Sequence, residues 1–288
     1  MTDIVDLTVI IVNWNVKGLL RDCLKSVYGR TQTISLEVFV VDNASSDGSI
    51  EMVEKEFPHV KLFKNKENVG FARANNQAMR ESAGRYVMLL NPDTIIVGDA
   101  LGTMVLFMDN HRDTGAIGPR ILNPDRTVQL TCGRYSPTLL SELWDLTKLS
   151  AVFPESRIFG KSLMGFWAHN DTREVELLSG ACMMVRKETI GQIGLMDEHF
   201  FLFDEETDWC YRIRKNGWKI YLNADDEIIH LWQQSVKRSS INTTLESYKG
   251  MYWFFVKHHG RLSALGYRGM VLIFIGLRIP VYWLWQYF

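Results

Sequence analysis

The chain has 288 residues, 47% hydrophobic and 23% charged, which is the composition of a globular protein with a sizeable core and excludes a disordered chain. That length fits one large α/β domain or a domain with an appendage. Four scattered cysteines (Cys23, Cys132, Cys182, Cys210) have no pair at metal-ligand or redox spacing, and reduced cytosolic thiols are expected.

The start, Met1-Thr2-Asp3-Ile4, lacks a basic and apolar leader, so no signal peptide is expected. Thr8 to Val12 is a β-branched run, read as a central strand ending at Asn13-Trp14-Asn15. A helix follows from about Lys17, with Leu19, Leu20, Cys23, Leu24 and Val27 on one face. Leu36 to Val41 is a second strand, closing on Asp42 and an Asn/Ser-rich turn whose side chains suit the N-cap of a helix through Ile50, Val53 and Phe57. Val60 to Phe63 is a third strand. After Asn68-Val69-Gly70 comes a helix from Phe71 to about Ala83.

Tyr86 to Leu90 is a continuous apolar run, too short for a helix and right for a strand covered on both faces. Pro92 keeps Asn91 extended, so Asp93 falls at the carboxyl end of that strand, where open α/β sheets place their ligands. Strands alternating with helices imply right-handed crossovers and a mostly parallel sheet flanked by helices. Beyond Asp93 the alternation loosens: a helix near Asp99 to Asp109, a strand at Gly115 to Gly118, then a mixed aromatic stretch. Strand-like Val175 to Val185, a helix at Glu205 to Asn216, and short strands at Trp218 to Leu222 and Glu227 to His230 follow. A helix is expected over Leu245 to His259, and Gly269 to Phe288 is nearly all apolar.

Charge is unevenly spread. From Leu231 to Phe288, Lys237, Arg238, Lys249, Lys257, Arg261, Arg268 and Arg278 face Glu246 alone, a balance of +6, so the rest carries −7 of the net −1. A basic, aromatic end suits nucleic acid or an anionic membrane surface, and its hydrophobicity favours the membrane over nucleic acid. Arg278 and Pro280 interrupt the apolar run, so a helix lying in the interface fits better than a full span. Lys257, Arg261 and Arg268 are expected to face anionic lipid, and Tyr282, Trp283, Trp285, Tyr287 and Phe288 the headgroup level. Packing on protein or on a second copy is the competing reading.

Two strands end in an acid (Asp42, Asp93), one in a histidine (His230), and Asp204-Glu205-Glu206-Thr207-Asp208 opens a helix. A carboxylate and an imidazole suit Mn²⁺ or Mg²⁺ with positions left for phosphate oxygens. A carboxylate set apart from the metal suits a general base. Each pattern also has a plain structural reading: caps for Asp42 and Asp47, macrodipole partners for Glu205 and Glu206, a solvated charge for Arg73.

Taken together, Val9-Ile10-Ile11-Val12-Asn13-Trp14-Asn15, Val40 through Ser49, Asn68 through Asn76, Leu90-Asn91-Pro92-Asp93, Leu178 through Ala181 and Phe201 through Arg212 come in the order seen in glycosyltransferase family 2. The chain resembles that family from about Leu7 to Ser235, and most of all its rhamnosyltransferase-like branch. The resemblance implies a GT-A-type, Rossmann-like fold at 1–242, with a nucleotide-binding half to about 118 and an acceptor half at 119–242. A helical membrane-associating extension at 243–288 completes the expected domain plan.

It implies an inverting transfer of a single sugar from a dTDP- or UDP-linked donor to a glycan or polyprenyl-linked acceptor in cell-surface polysaccharide synthesis. The enzyme would lie on the cytoplasmic face of the membrane, with oligomerisation left open. Asp42, beside Asn13, matches the acid that reads a pyrimidine base. Arg73 matches a nucleotide contact, and Asp93 matches the last acid of the Asp-x-Asp metal motif. Asn91 stands where many members carry the first Asp. His230 matches a histidine that completes the metal site. Glu206 matches the general base, with Asp208 as the other candidate. Leu231 to Ser235 departs from the Gln-x-x-Arg-Trp of processive relatives. A nucleotide-sugar-binding protein without turnover and a sugar nucleotidyltransferase remain as alternatives.

Overall fold

The computed structural model describes residues 5–231 and 240–285, with side chains at 5–231 and 243–276. Its centre is the strand that the sequence singles out: β4 (Tyr86–Leu90), buried at all five positions. Burying an aliphatic side chain contributes about 1.5–3 kcal/mol, so this strand cannot sit at an edge. β1 (Leu7–Asn13) lies beside it, followed outward by β2 (Leu36–Asp42) and β3 (Lys61–Lys64), all parallel. The helices α1 (Lys17–Arg30), α2 (Ser49–Glu56) and α3 (Phe71–Glu81) make the crossovers.

Parallel register decides where the polar strand ends fall. Asn13 pairs with Asp42, and Ile11 pairs with Leu90, so the turn after Leu90 emerges on the same rim as both. Next come β5 (Thr94–Ile96), α4 (Ala100–Asn110), β6 (Thr114–Leu122), β7 (Gly133–Arg134), α5 (Leu139–Leu146) and α6 (Leu149–Val152). The chain continues through β8 (Arg173–Glu174), β9 (Leu177–Leu178), β10 (Cys182–Arg186), α7 (Lys187–Ile193), α8 (Glu205–Lys215) and β11 (Lys219–His230) to α9 (Ser240–Trp285).

The nine-stranded sheet has the order β3-β2-β1-β4-β10-β6-β11-β5, with β8 on β11. β3, β2, β1, β4, β6 and β11 run the same way, while β10, β5 and β8 oppose them. The expected mostly parallel sheet is therefore present, with β10 inserted antiparallel between β4 and β6. The two short strands expected at 218–222 and 227–230 are one bulged strand, β11. Its last residue, His230, pairs with Thr94 of β5, which brings the histidine beside Asp93. All four cysteines are free and buried.

The C-terminal stretch forms one helical element broken at Gly260, whose φ of 84° and ψ of 166° are not helical. The part beyond the break packs Ala264, Tyr267 and Val271 on Leu146 of α5 and on Phe255. Among the described residues, no helix is long and apolar enough to cross a membrane. Lys257 is exposed, as are Arg261 and Arg268, and its ammonium also pairs with Asp197 and Asp208, each at 2.7 Å. The terminal aromatic side chains and the stretch from Trp232 to Ser235 lie outside the described residues.

Candidate active site

The rim at the carboxyl ends of β1, β2 and β4 carries the first group of polar residues. Asn13 and Asp42 are buried, and Asn13 Nδ2 donates to Asp42 Oδ2 at 2.8 Å and to Ser45 Oγ at 3.1 Å. Asp42 Oδ1 accepts from the Ser45 amide at 2.7 Å. The carboxylate is thus held rigidly, and each of its oxygens keeps lone-pair capacity for a further donor. Beside it opens a cleft of about 400 Å³ lined by Val12, Trp14, Asn43, Phe71, Asn91 and Phe201 among others. Thr243 and Glu246 of α9 also line it, so the last helix forms part of its wall.

The cleft depends on a tight meeting of two loops. Gly70 has φ +86°, and a Cβ there would lie 2.5 Å from the Phe201 carbonyl oxygen. The Phe71 amide donates to that same oxygen at 2.8 Å. Only glycine permits both the left-handed backbone and this approach. Arg73, one turn further along α3, does not join the cleft lining. Its guanidinium is 59% exposed and pairs with Glu198 at 3.4 Å, because α3 turns that face away from the sheet rim.

Asp93 and His230 do meet, both buried, with Asp93 Oδ1 3.2 Å from His230 Nε2. The tautomer follows from Gln129. Its Nε2 donates to the His230 carbonyl and to Asn123 Oδ1, each at 2.9 Å, so its Oε1 must accept from His230 Nδ1 at 3.0 Å. The other ring nitrogen, Nε2, faces Asp93, with Asn91 Nδ2 at 3.4 Å. Asp93 Oδ1 has no hydrogen-bond partner among the described residues. A carboxylate oxygen and an imidazole nitrogen brought this close are donors of the kind that Mn²⁺ and Mg²⁺ accept. The pair therefore fits Mn²⁺ or Mg²⁺ chemistry. Among the described residues, no third His, Cys, Asp or Glu completes a metal cluster, Asn91 standing nearby in place of a carboxylate. Gln129 was missed from sequence because its stretch has no periodicity.

The acidic cluster opens α8 after two consecutive left-handed residues, Phe203 (φ 70°) and Asp204 (φ 66°). Non-glycine residues hold such angles only where the surroundings force them. Glu206 is partly accessible, its side chain 14% exposed, with Arg134 Nη2 at 3.4 Å. Burial raises its carboxyl above the usual range, and the Arg134 charge opposes that rise. Arg134, on the two-residue β7, gave no signal in the sequence. Gly180 connects the two regions: a Cβ there would touch Glu206 Cβ at 3.7 Å and the cleft residue Phe71 at 3.8 Å.

Asp208 differs from Glu206 in every respect. It is fully buried and bonded to Arg212 Nε (2.8 Å), Lys257 Nζ (2.7 Å) and His258 Nε2 (2.7 Å). Burial alone would raise its carboxyl, but the His258 hydrogen bond, Arg212 and Lys257 hold it below the ordinary value.

A sheet of this topology, with acids and a histidine at strand ends, has the GT-A architecture. It superposes on the mannosyltransferase PcManGT from Pyrobaculum calidifontis, solved with GDP-Man and Mn²⁺, with a TM-score of 0.60 at 19% identity, over 89% of this chain and 64% of that one. The model of glycosyl transferase family 2 matches residues 8–167, and the chain belongs to that family: it is a glycosyltransferase. It is 26% identical over 278 residues to the N-acetylglucosaminyl-diphospho-decaprenol L-rhamnosyltransferase of Mycobacterium tuberculosis, covering 90% of this chain and 86% of the relative. It is also 25% identical to dTDP-rhamnosyl transferase RfbF of Shigella flexneri, over 62% of this chain and 55% of the relative.

Proposed function

We propose that the chain transfers one sugar, rhamnose in the first instance, from a dTDP- or UDP-linked donor to a glycan or polyprenyl-diphosphate-linked acceptor, with inversion at the anomeric carbon. The observation that carries this reading is the juxtaposition of Asp93 and His230 next to the cleft residue Asn91, supported by the rhamnosyltransferase relatives. Asp42, braced by Asn13, accepts from the N3–H of a pyrimidine base, while Trp14 and Phe71 flank the nucleotide in the cleft. Asp93 and His230 hold Mn²⁺ or Mg²⁺, with Asn91 alongside. When bound, such an ion offsets charge on the diphosphate leaving group. Glu206 takes the proton of the acceptor hydroxyl as that oxygen attacks, and the Arg134 charge opposes the rise that burial gives the Glu206 carboxyl. Asp208, already bonded to three partners, is assigned to holding α8 rather than to proton transfer.

The catalytic unit is taken to run through residue 259, beyond the expected boundary at 242, since α9 walls the cleft. The part after Gly260 is proposed to rest on the cytoplasmic face of the membrane, where polyprenyl-linked acceptors reside. Incubating the protein with dTDP-L-rhamnose, UDP-N-acetylglucosamine or GDP-mannose, with Mn²⁺ or EDTA, tests the reading. Release of dTDP or UDP that EDTA abolishes is the expected result. Binding of these nucleotides without any release would point to a binding protein, and preference for GDP-mannose would overturn the role of Asp42.

A further inference from the structure

Helix α9 does more than lead toward a membrane. One face of it, at 250, 253, 254, 257 and 258, follows helical spacing and lies along the loop and helix that carry Glu206. Gly250 is so close that a Cβ would stand 2.8 Å from Asp204 Oδ2 and 3.0 Å from the Phe203 carbonyl oxygen. Trp253 Nε1 and Lys257 Nζ reach Asp197 at 3.5 and 2.7 Å. The Phe254 and His258 rings lie 5.6 and 4.2 Å from the Tyr211 ring in the second turn of α8. At the centre, Lys257 and His258 both bond to Asp208 Oδ1, two residues beyond Glu206.

We propose that Lys257 and His258 are positioning residues for sugar transfer: through Asp208 they set the axial place and rotation of the first turn of α8, and so of Glu206. This rests on the reading of Glu206 as the base. The physical argument concerns what apolar contact cannot do. Ring packing between Tyr211 and Phe254 holds two helices together but tolerates sliding and rotation. A fully buried carboxylate receiving a lysine, an imidazole and Arg212 accepts one arrangement, because any shift leaves a buried charge short of a partner. Such a lock is needed here. The turn begins with two left-handed residues, Phe203 and Asp204, and crowds the carboxyls of Asp204, Glu205 and Glu206 together in buried space. Without the anchor below it, that turn has both backbone strain and carboxyl crowding to relieve by moving.

The same helix walls the donor cleft at Thr243 and Glu246, one to two turns before Gly250. Donor binding at one end and base placement at the other are therefore carried by a single rigid rod.

The test uses the full-length protein with Mn²⁺, measuring hydrolysis of dTDP-L-rhamnose, affinity for dTDP, and thermal stability. Variants are Lys257→Met, Lys257→Arg, His258→Leu and His258→Gln, with Glu206→Gln as reference. A displacement of about 1 Å costs on the order of 10²-fold in rate. Lys257→Met and His258→Leu are expected to lower kcat by about tenfold or more while dTDP affinity stays within about twofold, a split that the above displacement cost anticipates. His258→Gln, which keeps a donor toward Asp208, and Lys257→Arg are expected to recover most of the rate.

A purely structural contact would lower thermal stability and reduce the rate and dTDP affinity together, with no recovery by Gln, and that result overturns the proposal. So does an unchanged kcat in Lys257→Met and His258→Leu while Glu206→Gln is inactive. If Glu206→Gln itself retains turnover, it is the base assignment that has failed.

Discussion

His230 Nε2 faces Asp93 Oδ1 across 3.2 Å of buried space, with the imidazole oriented from behind by Gln129. An orienting partner on the far ring nitrogen fixes the direction of the near one. Asp93→Asn keeps the shape and removes the charge. It should abolish the Mn²⁺-dependent part of dTDP binding, measured by titration with and without EDTA. Gln129→Leu should weaken the same component by about 10- to 100-fold, the usual range for such outer partners. Equal Mn²⁺ dependence in Asp93→Asn and the unaltered protein would remove this pair from any metal site.

Asp42 accepts from the Asn13 side chain and the Ser45 amide, so its loss has two consequences. Asp42→Ala should weaken UDP and dTDP together while leaving GDP unaffected. Because a buried donor is left unsatisfied, thermal stability should fall as well, by about 1–3 kcal/mol in unfolding free energy. Undiminished affinity for both pyrimidine nucleotides would refute the base-reading role.

How much of this could be read from the chain follows from where the signals are local. Asn13, Asp42 and Asp93 stand at the ends of short apolar runs, and in a parallel sheet all such ends share one rim, so the sequence places them together. The antiparallel β10 between β4 and β6 has no such signature, since its neighbours lie far away along the chain. Gln129 and Arg134 sit in a stretch rich in glycine, proline and asparagine that has no periodicity. The ion pair of Lys257 with Asp197 spans 60 residues of chain and so leaves no local signal. Arg73 matched a family position, yet only the structure shows its side chain turned to Glu198.

Glu206 and Asp208 separate by experiment as sharply as by structure. Glu206→Gln should lower turnover by roughly 10²–10⁴-fold with donor affinity intact, the range for losing a positioned base. Asp208→Asn should instead destabilise the fold by about 3–5 kcal/mol, because Arg212 and Lys257 lose a buried counter-charge. The reverse pattern, an active Glu206→Gln beside a stable but inactive Asp208→Asn, would move the base to Asp208.

Stability should fall as pH rises. Burial, with the Glu206 charge adding, pushes Asp204 up to about 8, and burial pushes Asp226 up to about 7 despite its hydrogen bonds. Both carboxyls release their protons near pH 4 when unfolded. Between about pH 4 and 8 the folded chain therefore holds protons that the unfolded chain has lost, and stability declines across that window. Asp197 and Asp208 are shifted down, so their contribution is already complete above pH 4 and does not mask the fall. Melting temperature should drop by several degrees between pH 5.5 and 8.5, and Asp226→Asn should flatten part of that slope. A flat or rising profile would contradict the burial argument.

The helix after Gly260 is apolar on two sides, and among the described residues only one of them packs on the rest of the protein. Ala264, Tyr267 and Val271 pack inward, while Leu262, Leu272 and Ile273 are 86%, 59% and 65% exposed. Arg261 and Arg268 are exposed among them. On α5, which packs against this helix, Leu140 is also exposed, as are Val152 and Phe153 around α6. An apolar stripe flanked by arginines fits an anionic bilayer interface, where the rings and aliphatics sink to the acyl boundary and the cations stay at the headgroups. Truncation is a poor test, because cutting after Gly266 also removes the packed Tyr267 and Val271. Leu272→Glu with Ile273→Glu alters the exposed face and leaves the packed one whole. This double variant should keep its melting temperature and its dTDP affinity. Full burial of each aliphatic contributes about 1.5–3 kcal/mol, so binding to vesicles of phosphatidylcholine with phosphatidylglycerol should weaken by at least about tenfold. Raising salt should weaken the unaltered protein further, through Arg261 and Arg268. If the unaltered protein does not sediment with such vesicles, or the double variant sediments equally well, this face meets something other than lipid.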